Sequence, residues 1–556
     1  MKEHHALIDG LKALPATDQR LLKCTFAAAL AALLVGVVFG AVTALARGRF
    51  VELGPLAGYR SMTTHAVSIF FYWLYFAQAG LLLVFATVFT SHKHGIEWRR
   101  AAWLGLALML AGFAASLYGV SSGLPLLYDA PPELGREPSA ALGATYAGYL
   151  LLAAGLFCVA AAGIATTVAP LARGEHDRMP VVSFAACAWA GLLMVSAIAA
   201  ANAFLPSALW ALGLRGAPAD YATGWHILFH NMHYLPLMAT VLVWYVLVEA
   251  LTGVKSIFGA RFSKIVFALY LVFVPPTSLY HMFLEPNLAE GVRIAGSLLS
   301  LFISVPTVTV FLVIVASLEV HARAHGAKGL FGWIGMLPWR NPAMSAIGFA
   351  VVNLALGGAL SFVLIQEKLA ALLSDTYFVP GYFHFLTVGT VTLTFIAALL
   401  YVLPALTGRP LWRPQVLRWM PHLATAGLAL FGGAGIAAGY LGVPRRVLDV
   451  MYDGAAPDAW TALMSVVGAG GALMTAALLV YLYALLRNLM LVGAAAPAAG
   501  EALPEVRWGA AVTGAQRAWT GPLTVAVLVG LTVAFTILAF ELMRALPVAA
   551  GAGAAH

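Results

Sequence analysis

The chain has 556 residues, of which 62% are hydrophobic and only 10% are charged. Soluble globular proteins carry about 25% charged residues, so this composition argues against a water-soluble enzyme, a disordered tail and a nucleic-acid-binding protein. The composition instead suggests a membrane protein, in which basic residues mainly reflect topology. The formal net charge of +8 therefore does not identify a ligand.

Apolar stretches long enough to cross a bilayer recur along the whole chain. The hydrocarbon core needs about 20 apolar residues per helix, and a backbone that faces lipid must pair its polar groups internally. The sequence therefore predicts an all-α polytopic membrane protein with about thirteen transmembrane helices. These lie near residues 22–47, 62–91, 100–120, 141–171, 181–208, 222–252, 263–285, 292–320, 343–367, 378–405, 420–441, 460–488 and 519–545.

The connections and ends predict the organisation of the chain. Lys and Arg are about twice as frequent in the N-terminus and the connections after even-numbered helices as on the opposite side, which predicts a cytoplasmic N-terminus. The first residues lack the short apolar core of a secretory signal, so the first helix is expected to be an anchor. We expect an N-terminal tail at 1–21, a twelve-helix core at 22–488, an Ala/Pro-rich linker at 489–518, a thirteenth helix at 519–545 and a C-terminal tail at 546–556.

Six histidines lie inside the predicted helices, and a seventh, His422, lies at the edge of one. Ionisable residues at membrane depth are costly, so each of the six is a functional candidate, although any single one could equally be a neutral histidine hydrogen-bonded within the bundle. With the N-terminus in the cytoplasm, all six fall in the outer half of the membrane. This convergence favours a metal or haem cluster. The six are His65, His226, His230, His233, His281 and His384.

Spacing supports a ligand role for three of them. His226, His230 and His233 stand at i, i+4 and i+7, which is one face of an α-helix. Imidazole is the commonest metal ligand, and Tyr234 follows next to that face.

Arg445 and Arg446 form a basic pair in a connection on the side that is otherwise poor in basic residues. The pair is either an ordinary interfacial feature or an anchor for haem propionates through charge-assisted hydrogen bonds. The histidines on the same side favour the anchor.

Several local strings together are typical of one family. They are KGLFGWI at 328–334, LPW at 337–339, NPA at 341–343, VPG at 379–381 leading into 383–384, and VPRR at 443–446. With these strings the chain resembles subunit I of the haem-copper oxidase superfamily, most closely the B-type cytochrome c oxidases, over nearly its whole length. The resemblance implies a subunit I-like helical bundle and an oxidoreductase of a respiratory electron-transport chain.

The resemblance implies a low-spin haem b with two histidine ligands. In the family one ligand comes from the second helix and one from the tenth, and the matching positions are His65 and His384. Two neutral imidazoles leave no open position on the iron, which suits electron transfer. Arg445 and Arg446 match the propionate-binding arginines of the family.

The positions around the family's oxygen-reducing centre differ in this chain. Tyr382 stands where the family has the histidine that binds a second, high-spin haem. His230 matches the copper ligand of helix 6, but the His-His pair of helix 7 reads Tyr280-His281. A high-spin haem and a copper ion are therefore expected to be either lost or held by rebuilt ligands.

Other positions of the family pattern are partly kept. Tyr234 matches the tyrosine that is cross-linked to a copper-binding histidine, and Tyr234 and Tyr382 are the candidate catalytic residues. Tyr245 and Thr307 fall where B-type oxidases place hydroxyl groups of a proton channel, although such groups often only satisfy a backbone carbonyl. Further departures are Asn231, Ser374 and Ala370, in place of a proline, a histidine and an aspartate.

Three functions remain open. The first is an electron-transferring relative with one bis-histidine haem and no ordinary oxygen reduction, because a phenol binds iron well only as phenolate. The second is a terminal oxidase or nitric oxide reductase in which Tyr382 binds a haem as tyrosinate does in catalase. In this second function, the ligands of the other metal ion would be His230, His281 and either His233 or His226. They would hold copper, or iron if Glu285 is also a ligand. The third is a haem-free transporter.

Partners follow from the resemblance. Subunit I normally pairs with a membrane-anchored cupredoxin subunit that receives electrons from cytochrome c, and quinol is the alternative donor. We therefore expect a subunit II-like partner, contact with membrane lipid and a place in a bacterial or archaeal cytoplasmic membrane.

Overall fold

The structure, a computed structural model, describes most of the chain. The described residues are 6–90, 94–122, 132, 136–175, 177–218, 224–254, 258–277, 290–291, 294–295, 302–365, 369, 372–447, 452–490, 525–526, 529–530 and 533. The C-terminal tail and nearly all of the predicted linker and thirteenth helix lie outside them.

The described part is almost entirely helical, as predicted. The first helices are α1 Ala6–Ala13, α2 Ala16–Arg47, α3 Pro55–Val67, α4 Leu74–Val88, α5 Arg99–Ser122, α6 Ala140–Ala172, α7 Val181–Ala211, α8 Gly224–Phe229 and α9 Leu235–Thr252. The remaining ones are α10 Gly259–Thr277, α11 Ser304–Ala324, α12 Gly332–Gly335, α13 Pro342–Ile365, α14 Phe378–His384, α15 Leu393–Thr407, α16 Pro414–Leu417, α17 Met420–Tyr440 and α18 Asp458–Met490.

Eleven helical spans within the described residues are long and apolar enough to cross a membrane. They correspond to eleven of the thirteen predicted helices. The seventh predicted helix corresponds to α10 in its first part, and its continuation beyond residue 277 lies outside the described residues. The prediction of an integral membrane protein built from a helical bundle is confirmed.

Two spans contain a π-helical segment. The first π segment, Ser68–Trp73, joins α3 to α4, and the second π segment, Phe385–Thr392, joins α14 to α15. Each makes one continuous span with its flanking α-helices. π-Helical segments are rare and occur frequently at functional sites.

The sixth predicted helix is interrupted by a 3-10 turn at His230–His233, between α8 and α9. Pro236 lacks the N–H group that an α-helix would donate to the carbonyl of Met232, four residues earlier. The Tyr75 hydroxyl donates to that carbonyl oxygen instead, at 2.6 Å. A side chain from α4 thus satisfies the backbone group that the proline leaves unpaired.

The N-terminal segment, predicted as a tail, contains a packed helix. Leu7 and Leu11 of α1 are buried against the core, at the spacing of one helix face. Asp18 of α2 is fully buried, accepts a hydrogen bond from the backbone N–H of Ile96 at 2.8 Å and forms an ion pair with Arg99. These contacts tie the N-terminus to the loop before α5.

Candidate functional site

A cavity of about 770 Å³ lies inside the bundle and brings together most of the described site candidates. Its size is within the range of about 300–1,000 Å³ that is usual for small-molecule and cofactor sites. Among its lining residues are His65, His384, Arg445, Arg446, His233, Tyr234, Tyr382, Thr307 and Arg47. All of these except Arg47 are residues that the sequence singled out.

The rings of His65 and His384 form a matched pair in this cavity. Their centroids are 6.3 Å apart and their planes are within 10° of parallel. The residues come from α3 and α14, which are separated by more than 300 positions in the chain, so the pairing depends on how the bundle folds.

The orientation of His65 is set by α2. Its Nδ1 lies 2.7 Å from the carbonyl oxygen of Gly36, and a carbonyl only accepts, so Nδ1 carries the proton. Nε2 then keeps its lone pair and is free to bind a metal. Gly40 lies one turn further along α2, where an added Cβ would come within 2.6 Å of the same Nδ1. A side chain at position 40 would therefore displace the imidazole ring of His65 from this position.

His384 is oriented in the same manner from its own helix. Its Nδ1 donates to the carbonyl oxygen of Pro380 at 2.7 Å, and its ring packs at 4.4 Å from the ring of Phe431. Gly381 allows α14 to approach α17 closely, since a Cβ there would be 2.8 Å from the backbone nitrogen of Ile436. Both imidazoles thus have Nδ1 occupied and Nε2 available.

The loop that carries the arginine pair is fixed beside α14. The backbone N–H of Tyr377 donates to Val443 at 2.7 Å, and that of Arg445 donates to Asp375 at 3.0 Å. The Arg445 guanidinium also lies 3.3 Å from the Asp375 carboxylate. These bonds hold the arginine pair at the cavity wall near His384.

Arg47, at the end of α2, is a third cation in the same wall. Its Nη2 donates to the carbonyl oxygen of Arg445 at 3.0 Å, and its guanidinium lies 5.6 Å from the ring centre of Tyr377. Its Nη1 is buried and has no hydrogen-bond partner within the described part of the chain. The sequence did not single out Arg47, because a basic residue at a helix C-terminus is ordinarily explained by the helix dipole.

The cavity wall also contains Tyr382, one of the altered positions. Tyr382 is buried at 7% exposure and its ring lies 6.0 Å from that of Phe383. Phe70, which also lines the cavity, packs at 5.4 Å against both Phe383 and His233. Tyr234 follows His233 in the wall.

The predicted helix face of three histidines is wrong in one respect. Because residues 230–233 form a 3-10 turn, His226, His230 and His233 do not lie on a single α-helix, and a 3-10 helix turns further per residue than an α-helix does. Outside the described residues lie Tyr280, His281, Glu285 and Ala370, together with the side chains of His226 and His230. Among the side chains that the structure describes, no three His, Cys, Asp or Glu residues converge on a possible metal position.

The predicted channel hydroxyls have separate surroundings. Thr307 lines the cavity and its Oγ1 accepts a hydrogen bond from Tyr270 at 3.4 Å. Tyr245 packs edge-on against Phe267 at 5.9 Å. Tyr270, which sequence reasoning did not name, is thus the hydroxyl that contacts Thr307.

A family model described as cytochrome c and quinol oxidase polypeptide I matches residues 20–474. The chain belongs to this family. It is therefore a subunit I-like protein of the haem-copper oxidases, which are oxidoreductases.

Curated relatives agree with this family. Subunit I of cytochrome c oxidase from Thermus thermophilus is 32% identical over 266 residues, which cover 47% of this chain and 46% of that protein. Cytochrome c oxidase polypeptide 1 of Halobacterium salinarum is 33% identical over 114 residues, or 20% of this chain and 19% of that protein. The matched part thus spans less than half the length of these relatives.

A solved structure shares the fold over nearly the whole chain. The cryo-EM structure of a haem-copper terminal oxidase dimer superimposes with a TM-score of 0.78 and covers 94% of this chain and 91% of its own. At 18% identity, this likeness shows only that the two chains share a fold.

The histidine pair of this subunit I fits an iron porphyrin, a cofactor typical of the family. A metal–imidazole bond is about 2.0–2.1 Å long, and the ring centre lies about 1.1 Å behind the bonded nitrogen. Two imidazoles on opposite sides of one metal ion therefore have ring centres about 6.3 Å apart, which is the separation of His65 and His384. The three arginines in the wall match the carboxylates that a haem carries.

Proposed function

We propose that this subunit I holds one low-spin haem b between His65 and His384 and passes electrons through it, with the family's oxygen-reducing centre lost or rebuilt. The observation that carries the proposal is the pair of parallel imidazoles 6.3 Å apart in a cavity that also contains three arginines. When bound, a bis-histidine haem supplies reversible one-electron transfer without an open position for substrate.

The chain's own residues prepare this site. The carbonyl groups of Gly36 and Pro380 fix the imidazole tautomers and ring planes before a metal binds, as outer hydrogen-bond partners do at metal sites. Arg47, Arg445 and Arg446 supply positive charge at the cavity wall, which favours anionic propionates there.

A second candidate is an active oxidase or nitric oxide reductase with unusual ligands. It is supported by the position of Tyr382, His233 and Tyr234 in the wall of the same cavity. In this version Tyr382 holds a high-spin haem as phenolate, and His230, His281 and His233 hold copper or iron. We rank it lower, because several positions of the family pattern, among them Tyr382 and Tyr280, differ together around that centre.

The wider setting is proposed from the family. Subunit I of these oxidases generally works with a subunit II and with cytochrome c or quinol, and we propose a cupredoxin-type subunit II and one of these donors for this chain. We also propose a cytoplasmic N-terminus, from the distribution of Lys and Arg, and a bacterial or archaeal cytoplasmic membrane, from the resemblance to the B-type oxidases.

Haem and metal analysis of the protein purified in detergent distinguishes these functions. With the oxygen-reducing centre lost, the proposal predicts one haem b per chain, a reduced-minus-oxidised spectrum of a low-spin haem, no copper and no spectral change with CO. Two haems with a CO-reactive species would support the second candidate instead. A colourless protein would contradict both and leave a haem-free transporter.

A further inference from the structure

The two proposed ligand helices are joined by a buried hydrogen bond below the histidines. Trp73 Nε1 donates to Thr392 Oγ1 at 3.1 Å, and the two side chains are 0% and 2% exposed. Trp73 lies eight residues after His65, and Thr392 lies eight residues after His384. Eight residues along each segment lead from the His65–His384 pair to the Trp73–Thr392 bond. The two segments therefore run parallel and in register.

The π segments place this bond beneath the histidines. In a regular α-helix, residue i+8 points about 80° away from the face of residue i. A π segment amounts to an inserted residue, so the rotation falls by about 100° and residue i+8 returns to within about 20° of that face. Trp73 ends the first π segment and Thr392 ends the second. The bond therefore joins the same faces that present His65 and His384.

Groups outside the helix hold the second π segment in place. Asn353 of α13 donates to the carbonyl oxygen of Gly389 at 3.3 Å, and Thr390 Oγ1 donates to the carbonyl oxygen of Ala350, also of α13, at 3.4 Å. A π segment is less favourable than an α-helix in isolation, so such contacts maintain it. The Trp73 bond is the contact among these that comes from the other ligand helix.

We propose that the hydrogen bond between Trp73 and Thr392 is a clamp that sets the relative rotation of α3 and α14, and with it the angle between the two imidazole planes. Trp73 and Thr392 are thus positioning residues for the haem ligands. The inference rests on the proposed haem between His65 and His384. In this inference, the bond between Trp73 and Thr392 keeps the imidazole rings of His65 and His384 parallel.

The angle between the planes has a spectroscopic signature. Parallel imidazoles donate into the same iron d orbital and split it from its partner, whereas a larger angle makes the two orbitals more alike. The largest g value in the EPR spectrum of the oxidised low-spin haem therefore rises as the angle opens. A loss of general stability does not move this value.

The chain offers a matched control two residues away. Trp244 Nε1 donates to Thr394 Oγ1 at 2.8 Å, and both side chains are fully buried. This bond also joins a tryptophan to a threonine of the tenth span, but the tryptophan belongs to α9, which carries neither His65 nor His384. Thr394→Val thus removes a hydrogen bond of the same kind and leaves the bond between Trp73 and Thr392 intact.

The experiment compares EPR spectra and midpoint potentials of purified Thr392→Val, Thr392→Ser, Trp73→Phe and Thr394→Val proteins. We expect Thr392→Val and Trp73→Phe to raise the largest g value and shift the potential. A double variant that combines Trp73→Phe with Thr392→Val should show no further shift, because both substitutions remove the same bond. Thr392→Ser keeps the hydroxyl and should retain the wild-type spectrum. Thr394→Val should lower the melting temperature but leave the spectrum unchanged.

Two results would overturn the clamp while leaving the proposed function intact. One is a haem-loaded Thr392→Val protein with a wild-type EPR spectrum. The other is an equal spectral change in Thr394→Val, which would show a general response to a lost buried hydrogen bond. A haem-free wild-type protein would overturn the proposed function itself, and the clamp with it.

Discussion

Arg47 donates a hydrogen bond to the carbonyl oxygen of Arg445 at 3.0 Å, so the end of α2 and the loop after α17 meet at the cavity wall. The two positions are about 400 residues apart in the chain. The contact places a third guanidinium beside the arginine pair that the sequence predicted as an anchor for haem propionates.

This arrangement predicts the effect of removing one charge. A cation near a haem favours the reduced iron, which carries one positive charge less, and this effect is strong where water is scarce. Arg47→Gln should therefore lower the midpoint potential of the haem in a redox titration. Arg323→Gln removes a cation from an exposed ion pair with Glu319 and should leave the potential unchanged. An equal potential in wild type and Arg47→Gln would contradict the position assigned to Arg47.

The contact between Gly40 and His65 predicts a steric effect. In Gly40→Ala the new methyl group would meet His65 Nδ1 at 2.6 Å, and overpacking of this kind costs about 1–3 kcal/mol. The ring should lose its hydrogen bond to Gly36, and the haem content of the purified protein should fall several-fold.

Gly58→Ala is the control for this substitution. Gly58 lies in α3, the helix of His65, and an added Cβ there meets nothing within 4 Å. Alanine in a helix interior is about 0.5–1 kcal/mol more favourable than glycine, so haem content should stay at the wild-type level. A full haem complement in Gly40→Ala would show that α2 does not restrict the ring.

The hydrogen bond from Tyr75 to Met232 predicts a loss of stability. Tyr75→Phe leaves a buried carbonyl without its donor, which costs about 1–3 kcal/mol. A thermal unfolding scan in detergent should show a lower Tm than the scan of Tyr118→Phe, whose side chain is 55% exposed. If the two variants unfold together, the carbonyl before Pro236 has found another donor.

Asp18 predicts a further stability effect at the N-terminus. Asp18→Asn removes the negative charge of a carboxylate that forms an ion pair with Arg99 and accepts a hydrogen bond from the backbone N–H of Ile96. Hydrogen bonds to charged groups contribute about 1.5–3 kcal/mol each. Unfolding should begin at a clearly lower temperature. Glu319→Gln breaks an exposed i,i+4 pair that is worth about 0.3–0.5 kcal/mol, so its Tm should barely move.

Much of the architecture was predictable from the sequence, because a bilayer imposes simple rules. Long apolar stretches must be helices, and the predicted tenth span, 378–405, agrees with Phe378–Thr407. Pro236 also carried a usable signal, since a proline ends an α-helix a few residues before it. The helix Ala6–Ala13 was not predicted, since residues 1–21 were expected to be a tail, although Leu7 and Leu11 stand at the spacing of one helix face.

The parts that were not predictable depend on contacts between distant segments. No local pattern distinguishes Ser68–Trp73 or Phe385–Thr392 from α-helix, and the contacts of Trp73 with Thr392 and of Gly389 with Asn353 come from distant segments. His65 and His384 were selected by their depth and by resemblance to a family, whereas their separation and parallel planes follow only from the packed bundle. Arg47 gave no signal of its own at all.

The most direct test of the account is the haem spectrum of single histidine variants. Purified wild-type, His65→Ala, His384→Ala and His422→Ala proteins are compared by haem content and by reduced-minus-oxidised absorption. His422 packs between Phe349 and Trp419 and does not line the cavity, so its variant should keep the wild-type low-spin spectrum. The account predicts that this spectrum is lost in His65→Ala and in His384→Ala alike. A low-spin haem that persists unchanged in both would contradict it.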